Sequence, residues 1–215
     1  MKKYEFTGET KEFLGRALHR IRAVIDFGDV KAGDLGGWIE KEENLSHERN
    51  AWVCGNAKVW GDAKVCGNAK VWGDAEVLGD AEVWGDAKVC DNAKVWGDAK
   101  VCDNAKVCGN AKVWGDAEVL GNAKVCGNAK VWGDAKVWGA YHCLIAGPMG
   151  SRNDFTTFFR SKNLEICVTC GCFRGNIDAF AEKVKETHGD NEHAKRYMAA
   201  IEFAKACIDL TPEAE

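Results

Sequence analysis

Two loops near the C-terminal end carry the residues best suited to hold an anion. Gly147-Pro-Met-Gly-Ser-Arg152 offers backbone N–H groups, the Ser151 hydroxyl and the Arg152 guanidinium. Arg174-Gly175-Asn176 stands just before a helical stretch. A helix N-terminus presents free N–H groups and a positive dipole end to a phosphate. Arg160 closes the strand that follows the first loop. Converged, Ser151, Arg152, Arg160, Arg174 and Asn176 would bind a small anionic or nucleotide ligand. Ordinary turn glycines and surface arginines are the other reading, because the loop lacks a Walker pattern. Cys167, Cys170 and Cys172, with His142 or His188, have zinc-like spacing. A second Cys-x-x-Cys is missing, so no metal is assigned there. The five histidines stand at 19, 47, 142, 188 and 193, and no catalytic residue is singled out.

The element that must carry these loops is a repeat. From Val53 the chain runs in hexads of the form Val-x-Gly-(Asp/Asn)-Ala-(Lys/Glu), fourteen of them over residues 53–136. Asp replaces the glycine only at Asp91 and Asp103. In degraded form the register reaches back to Leu35, giving seventeen hexads. A short fixed period means a solenoid, whose units bury themselves only on their neighbours. Within Ala-Lys-Val-Trp, Ala and Val alternate with Lys and Trp, so a strand would turn Ala and Val to one face. Gly-Asp and Gly-Asn supply the bend, since glycine accepts positive φ and Asn and Asp tolerate it. A helix is excluded, because a glycine every sixth residue costs about 1 kcal/mol each.

Three hexads per coil place residues 18 apart in one column. One outward column reads Trp60, Leu78, Trp96, Trp114, Trp132, beside an all-acid corner of Asp62, Asp80, Asp98, Asp116 and Asp134. Others read Cys54, Trp72, Cys90, Cys108, Cys126 and Cys66, Trp84, Cys102, Leu120, Trp138. A large apolar patch marks an interface, so the Trp60 column is expected to join copies of the chain. Self-stacking on a wet sheet and a ligand-stacking platform are the alternatives. The Cys column looks like a thiol or zinc ladder, but the cysteines are read as small apolar strand residues. The Asp column could hold cations, and is read as solvated and paired with lysines.

The aliphatic residue followed four later by a small one resembles the left-handed parallel β-helix of hexapeptide-repeat proteins. That resemblance covers about half the chain. It implies the handedness, the triangular section and a trimer. Seventeen hexads would stack nearly six coils, roughly 27 Å at about 4.8 Å per coil. The passage Arg20–Ser46, with Asp34-Leu-Gly-Gly-Trp-Ile-Glu40, is similar to the opening of the YdcK-like group of bacterial and phage repeat proteins. Many left-handed β-helices are CoA- or ACP-dependent acyltransferases with a histidine base between subunits. Here no histidine and no loop insertion falls in residues 53–136.

The ends complete the plan, which is mainly β: an N-terminal β cap over residues 1–34, the β-helix over 35–139, and an α+β domain over 140–215. In the cap, Tyr4–Thr7 and Ala17–Phe27 read as strands with turns at Gly8 and Gly15. In the C-terminal part, strands are expected at 142–146, 154–160 and 165–169, with a loop at Cys170–Gly175. Helices capped by Asn176 and Asn191 follow. This part resembles C-terminal modules of phage proteins.

Net charge is −4, without a strongly basic segment, which argues against duplex nucleic acid. No run of 18 apolar residues and no apolar leader exists, so a cytoplasmic protein with reduced thiols is expected, host-cytoplasmic if phage-encoded. The favoured reading is a non-catalytic, oligomeric binding protein without a cofactor. The phage resemblance implies an anti-defence role, as a sponge for a nucleotide immune signal or a binder of a host defence protein. A structural spacer and an acyltransferase are the alternatives.

Overall fold

The computed structural model describes residues 1–212. It opens with an antiparallel hairpin, β1 (Tyr4–Phe13) and β2 (Arg16–Ala23), followed by β3 (Leu35–Ile39). Fifteen short strands, β4 to β18, then run from Trp52–Val53 to Lys136–Val137. They form the three parallel faces of a solenoid of about six turns, each strand paired with the one 18 residues on. Thus Lys94, Val95 and Trp96 lie opposite Lys112, Val113 and Trp114. The strands are two or three residues long, because the Gly-(Asp/Asn) corners claim the rest of each hexad.

The alternation sets the core. Every valine from Val53 to Val137 and every alanine from Ala51 to Ala129 in the repeat is fully buried. Between its ends the core holds only these small aliphatic residues, so it fills a narrow triangular bore. At the corners the amides of Asn92, Asn110 and Asn128 hydrogen-bond in a ladder, coil to coil. Corner glycines are required sterically as well as by φ. A Cβ on Gly97, at φ +73, would stand 3.0 Å from the Gly115 nitrogen.

A solenoid exposes strand edges at both ends, and unpaired edges invite aggregation. At the first end β2 pairs antiparallel with β3, so the hairpin extends one solenoid face. Tyr4 plugs the bore, its hydroxyl donating to the carbonyls of Leu45 and Glu42. The hairpin turn is at Leu14-Gly15. Gly8, expected to be a turn, lies inside β1, where the pairing register shifts between Phe6 and Thr10.

At the other end sits a four-stranded antiparallel sheet: β19 (Cys143–Met149), β20 (Asp154–Arg160), β21 (Ile166–Cys170) and β22 (Phe173–Asn176). β22 corrects the loop expected at Cys170–Gly175. Cys170 faces Phe173 across a two-residue turn with Gly171 at φ +57. Adjacent residues of β20 serve opposite layers. Phe159 joins the solenoid core, and Phe158 packs with α1 (Ile177–His188) and α2 (Glu192–Cys207). Thr157 and Thr169 close the last rung: Lys130 N–H donates to the Thr157 hydroxyl, and the Thr169 hydroxyl donates to the Lys130 carbonyl. No helix among the described residues is long and apolar enough to cross a membrane.

Candidate functional site

β19, β22 and the last turn of α1 enclose a cleft of about 560 Å³. Ser151 and Arg152 reach it from the loop after β19, Cys172 from the turn before β22, and Arg174 from β22 itself. Lys183, Thr187 and His188 line it from α1, and Tyr197 from α2. Three of the five expected ligand-binding residues therefore meet: Ser151, Arg152 and Arg174.

Arg152 and Arg174 make no ion pair among the described residues, whereas Lys183 is paired with Glu186 and Asp154 with Lys130. The Arg174 guanidinium rests on two rings of the solenoid, 5.1 Å from the Trp114 centroid and 5.7 Å from that of Trp132. A guanidinium held by its face keeps edge donors for an anion. His188 stacks on Tyr197, with centroids 5.7 Å apart. Burial and the neighbouring Cys170 push the Tyr197 hydroxyl up to about 12, so it stays a neutral donor.

Two residues are not brought in. Arg160 is 2 % exposed and belongs to the packing under the sheet. Its guanidinium donates to the carbonyls of Thr211 and Lys136 and faces the Trp138 ring at 5.8 Å. Asn176 caps α1, accepting from Ala179 N–H at 2.9 Å, and borders a different groove with Ile177 and Asp178. The phosphate argument from a helix N-terminus therefore fails for this cleft. What borders it is the C-terminal end of α1, where the dipole is unfavourable to anions. The arginines must supply the attraction alone. Lys183 and Thr187 were missed by the sequence reading, although their i, i+4 spacing already placed them on one side of a helix, and His188 was singled out only as a possible metal ligand.

The outward Trp column is covered from both ends by the chain itself. Phe13 meets the Trp60 ring edge-on at 5.4 Å, and Trp60 is 5 % exposed. Leu18, Trp38 and Trp60 form a small cluster with Phe13 and Leu78 beneath the hairpin. At the other end Trp132 contacts Phe159 and Arg174. Between them Trp96 and Trp114 stack face to face, 5.0 Å apart and 2° from parallel. Both are half-buried. Trp60 is thus unavailable to a partner, which corrects the expectation of a ladder open along its length.

Cys167, Cys170, Cys172, His142 and His188 do not converge as metal ligands among the described residues. His142 is buried, accepting from Trp138 N–H and packing edge-on against the Trp138 ring.

The fold defines the class: this chain is a β-helix repeat protein, a parallel solenoid capped at both ends. No family model matches it. Over 61 residues it is 43 % identical to the uncharacterized acetyltransferase YdcK of Escherichia coli strain K12. That stretch is 28 % of this chain and 18 % of the relative, so the chain spans less than a fifth of the length of the curated relative it matches.

Proposed function

We propose that this chain is a non-catalytic binding protein that takes up a small anionic ligand, of the phosphorylated nucleotide class, in the cleft of its C-terminal layer. The solenoid is the rigid support, and the stacked pair Trp96 and Trp114 is the part of its apolar face left to pack against a second copy. One observation carries the reading. Two guanidinium groups without carboxylate partners, Arg152 and Arg174, line one concavity together with Ser151 and His188. The one carboxylate that also lines the cleft, Asp154, is held by Lys130, and two unpaired guanidinium groups side by side favour an anion between them. Nothing in the molecule singles out a host defence protein as partner.

The test uses adenosine diphosphate and inorganic pyrophosphate, titrated calorimetrically into the full chain, with native mass spectrometry of protein purified from cells to detect a retained ligand. Losing one charge-assisted contact costs about 1.5–3 kcal/mol, roughly ten- to a hundredfold in affinity. Arg152→Ala and Arg174→Ala should each lower affinity by that factor with the solenoid intact. Absence of both binding and retained ligand would overturn the reading in favour of a spacer.

The relative's name favours a second reading, acyl transfer. No histidine lies within residues 53–136 to act as base on the coils. Acetyl transfer from acetyl-CoA to an added amine or hydroxyl acceptor, with release of the thiol, that survives Arg152→Ala and Arg174→Ala would establish that reading instead.

A further inference from the structure

On the face away from the Trp ladder, three potential ligand groups converge. Cys90 Sγ, a carboxylate oxygen of Asp91 and Cys108 Sγ all lie within 4.8 Å of one another. Cys90 Sγ is 3.6 Å from Asp91 Oδ2, and Cys108 Sγ is 2.7 Å from Cys126 Sγ, the next thiol in the column. In a tetrahedral site, donors bound at about 2.0–2.3 Å stand about 3.3–3.8 Å apart, so the cluster closes on an ion by a contraction of up to about 1 Å. Among the described residues no other group of three such donors is as close.

Asp91 is the telling residue. It occupies the glycine position of the hexad, at φ +63, in the left-handed region that penalises a side chain. The carboxylate it gains is held in place, Oδ2 accepting from Gly109 N–H at 2.9 Å. The repeat contains its own control. Asp103 makes the same substitution after Cys102, at φ +60, and accepts from Gly121 N–H at 3.1 Å. One coil further on that column carries Leu120, where the first carries Cys108. The same strained Cys-Asp pair therefore forms a three-donor group only where a second thiol stacks on it.

We propose that Cys90, Asp91 and Cys108 form a binding site for one thiophilic divalent cation of the zinc class, with water in the fourth position. Two sulfurs and one oxygen suit a borderline-soft ion and disfavour magnesium or calcium, which take oxygen ligands. As each sulfur binds, its proton leaves to solvent, so one cation replaces two protons and no redox partner is needed. Two thiolates, a carboxylate and a divalent cation sum to a single negative charge. The neighbouring cation that can offset it is Lys106, which pairs across the sheet with Lys88, two residues before Cys90.

The experiment titrates the reduced, chelator-stripped full chain with Co²⁺ and then Zn²⁺. It reads the thiolate-to-cobalt charge-transfer band and counts ions by native mass spectrometry. The expected result is one ion per chain, with the cobalt band displaced by zinc. Cys90→Ser and Cys108→Ser should each abolish the band. Asp91→Gly restores the repeat consensus, so it keeps the fold, and it should weaken binding at least about tenfold. Cys102→Ser with Asp103→Gly should leave both the band and the stoichiometry unchanged. Absence of the band, its persistence in the Cys90→Ser, Cys108→Ser double variant, or equal loss in the Cys102, Asp103 control would overturn the proposal. So would unchanged affinity in Asp91→Gly.

Discussion

Arg160 and Arg174 lie on β20 and β22 of one sheet, with β21 between them, and the structure assigns them opposite fates. Arg160→Ala removes a buried side chain, two hydrogen bonds to carbonyls and a ring contact. At 3.2 and 3.4 Å the hydrogen bonds are long, so the pair falls toward the lower end of about 1.5–3 kcal/mol for charged donors. Trp138 at 5.8 Å is near the limit of cation–π attraction and adds about 0.5 kcal/mol. Truncating the buried stem loses about 0.8 kcal/mol per methylene. Opposing these is relief of a buried charge whose Nε has no hydrogen-bond partner. The net expectation is a destabilisation of about 2–4 kcal/mol, lowering the melting temperature by roughly 4–16 °C in a chain of this size. Calorimetric melting measures it. Affinity for adenosine diphosphate, titrated well below that temperature, should stay within about twofold, because Arg160 does not line the cleft. Should Arg160→Ala melt within a degree of the parent and lose the ligand, the separation of the two arginines is wrong.

Two further outcomes follow from the same contacts. Trp96→Lys with Trp114→Lys should reduce the mass seen by light scattering to one chain of 23.5 kDa, from a multiple of it in the parent; equal masses return the tryptophan pair to solvent. Acid should loosen the N-terminal cap before the coils. Hydrogen bonds from Lys2, Lys70 and Lys41 hold the carboxyls of Glu42, Asp29 and Asp62 below the usual carboxylate range. A depressed carboxyl contributes stability that is complete above its unfolded pKa, about 4, and is lost as pH falls through its lower folded value. Residues 1–45 should therefore lose corrected hydrogen-exchange protection between about pH 4 and 2, while Val59–Val131 keep theirs. Uniform loss along the chain would refute it.

The solenoid was legible because its information is local. One hexad contains the strand alternation, the corner glycine and the inward pair, and the next hexad repeats them. A slip of one residue would turn every valine of the repeat out, and none from Val53 to Val137 is out. The helix starts were legible for the same reason, since Asn176 and Asn191 cap within three residues of themselves. What covers the outward face was not. Trp60 is closed by Phe13, 47 residues earlier, and Trp114 and Trp132 meet Arg174, up to 60 residues later. No window along the sequence contains such pairs. Arg160 shows the same limit from the other side. At a strand end beside a turn it reads as exposed, and only the sheet's placement on Trp138 and Thr211 buries it. For β22 a local signal did exist, because Gly171-Cys172 between Cys170 and Phe173 has the two-residue form of a hairpin turn with positive φ.

Arg174 ties the two halves of the proposed function together. Its guanidinium lies on Trp114 and Trp132 while its chain lines the cleft. The same Trp114 stacks on Trp96, and that pair is the central remainder of the apolar face. An anion that drew Arg174 toward Arg152 would lift a cation from Trp114 and uncover its ring. A second copy seated on Trp114 would in turn restrict where the guanidinium can move. Ligand and partner then bias the same side chain, and linkage requires each to change the other's affinity by the same factor. Stacking of a cation on an aromatic face is worth about 0.5–2 kcal/mol. The coupling is therefore bounded at roughly two- to thirtyfold, small enough that either event can occur without the other.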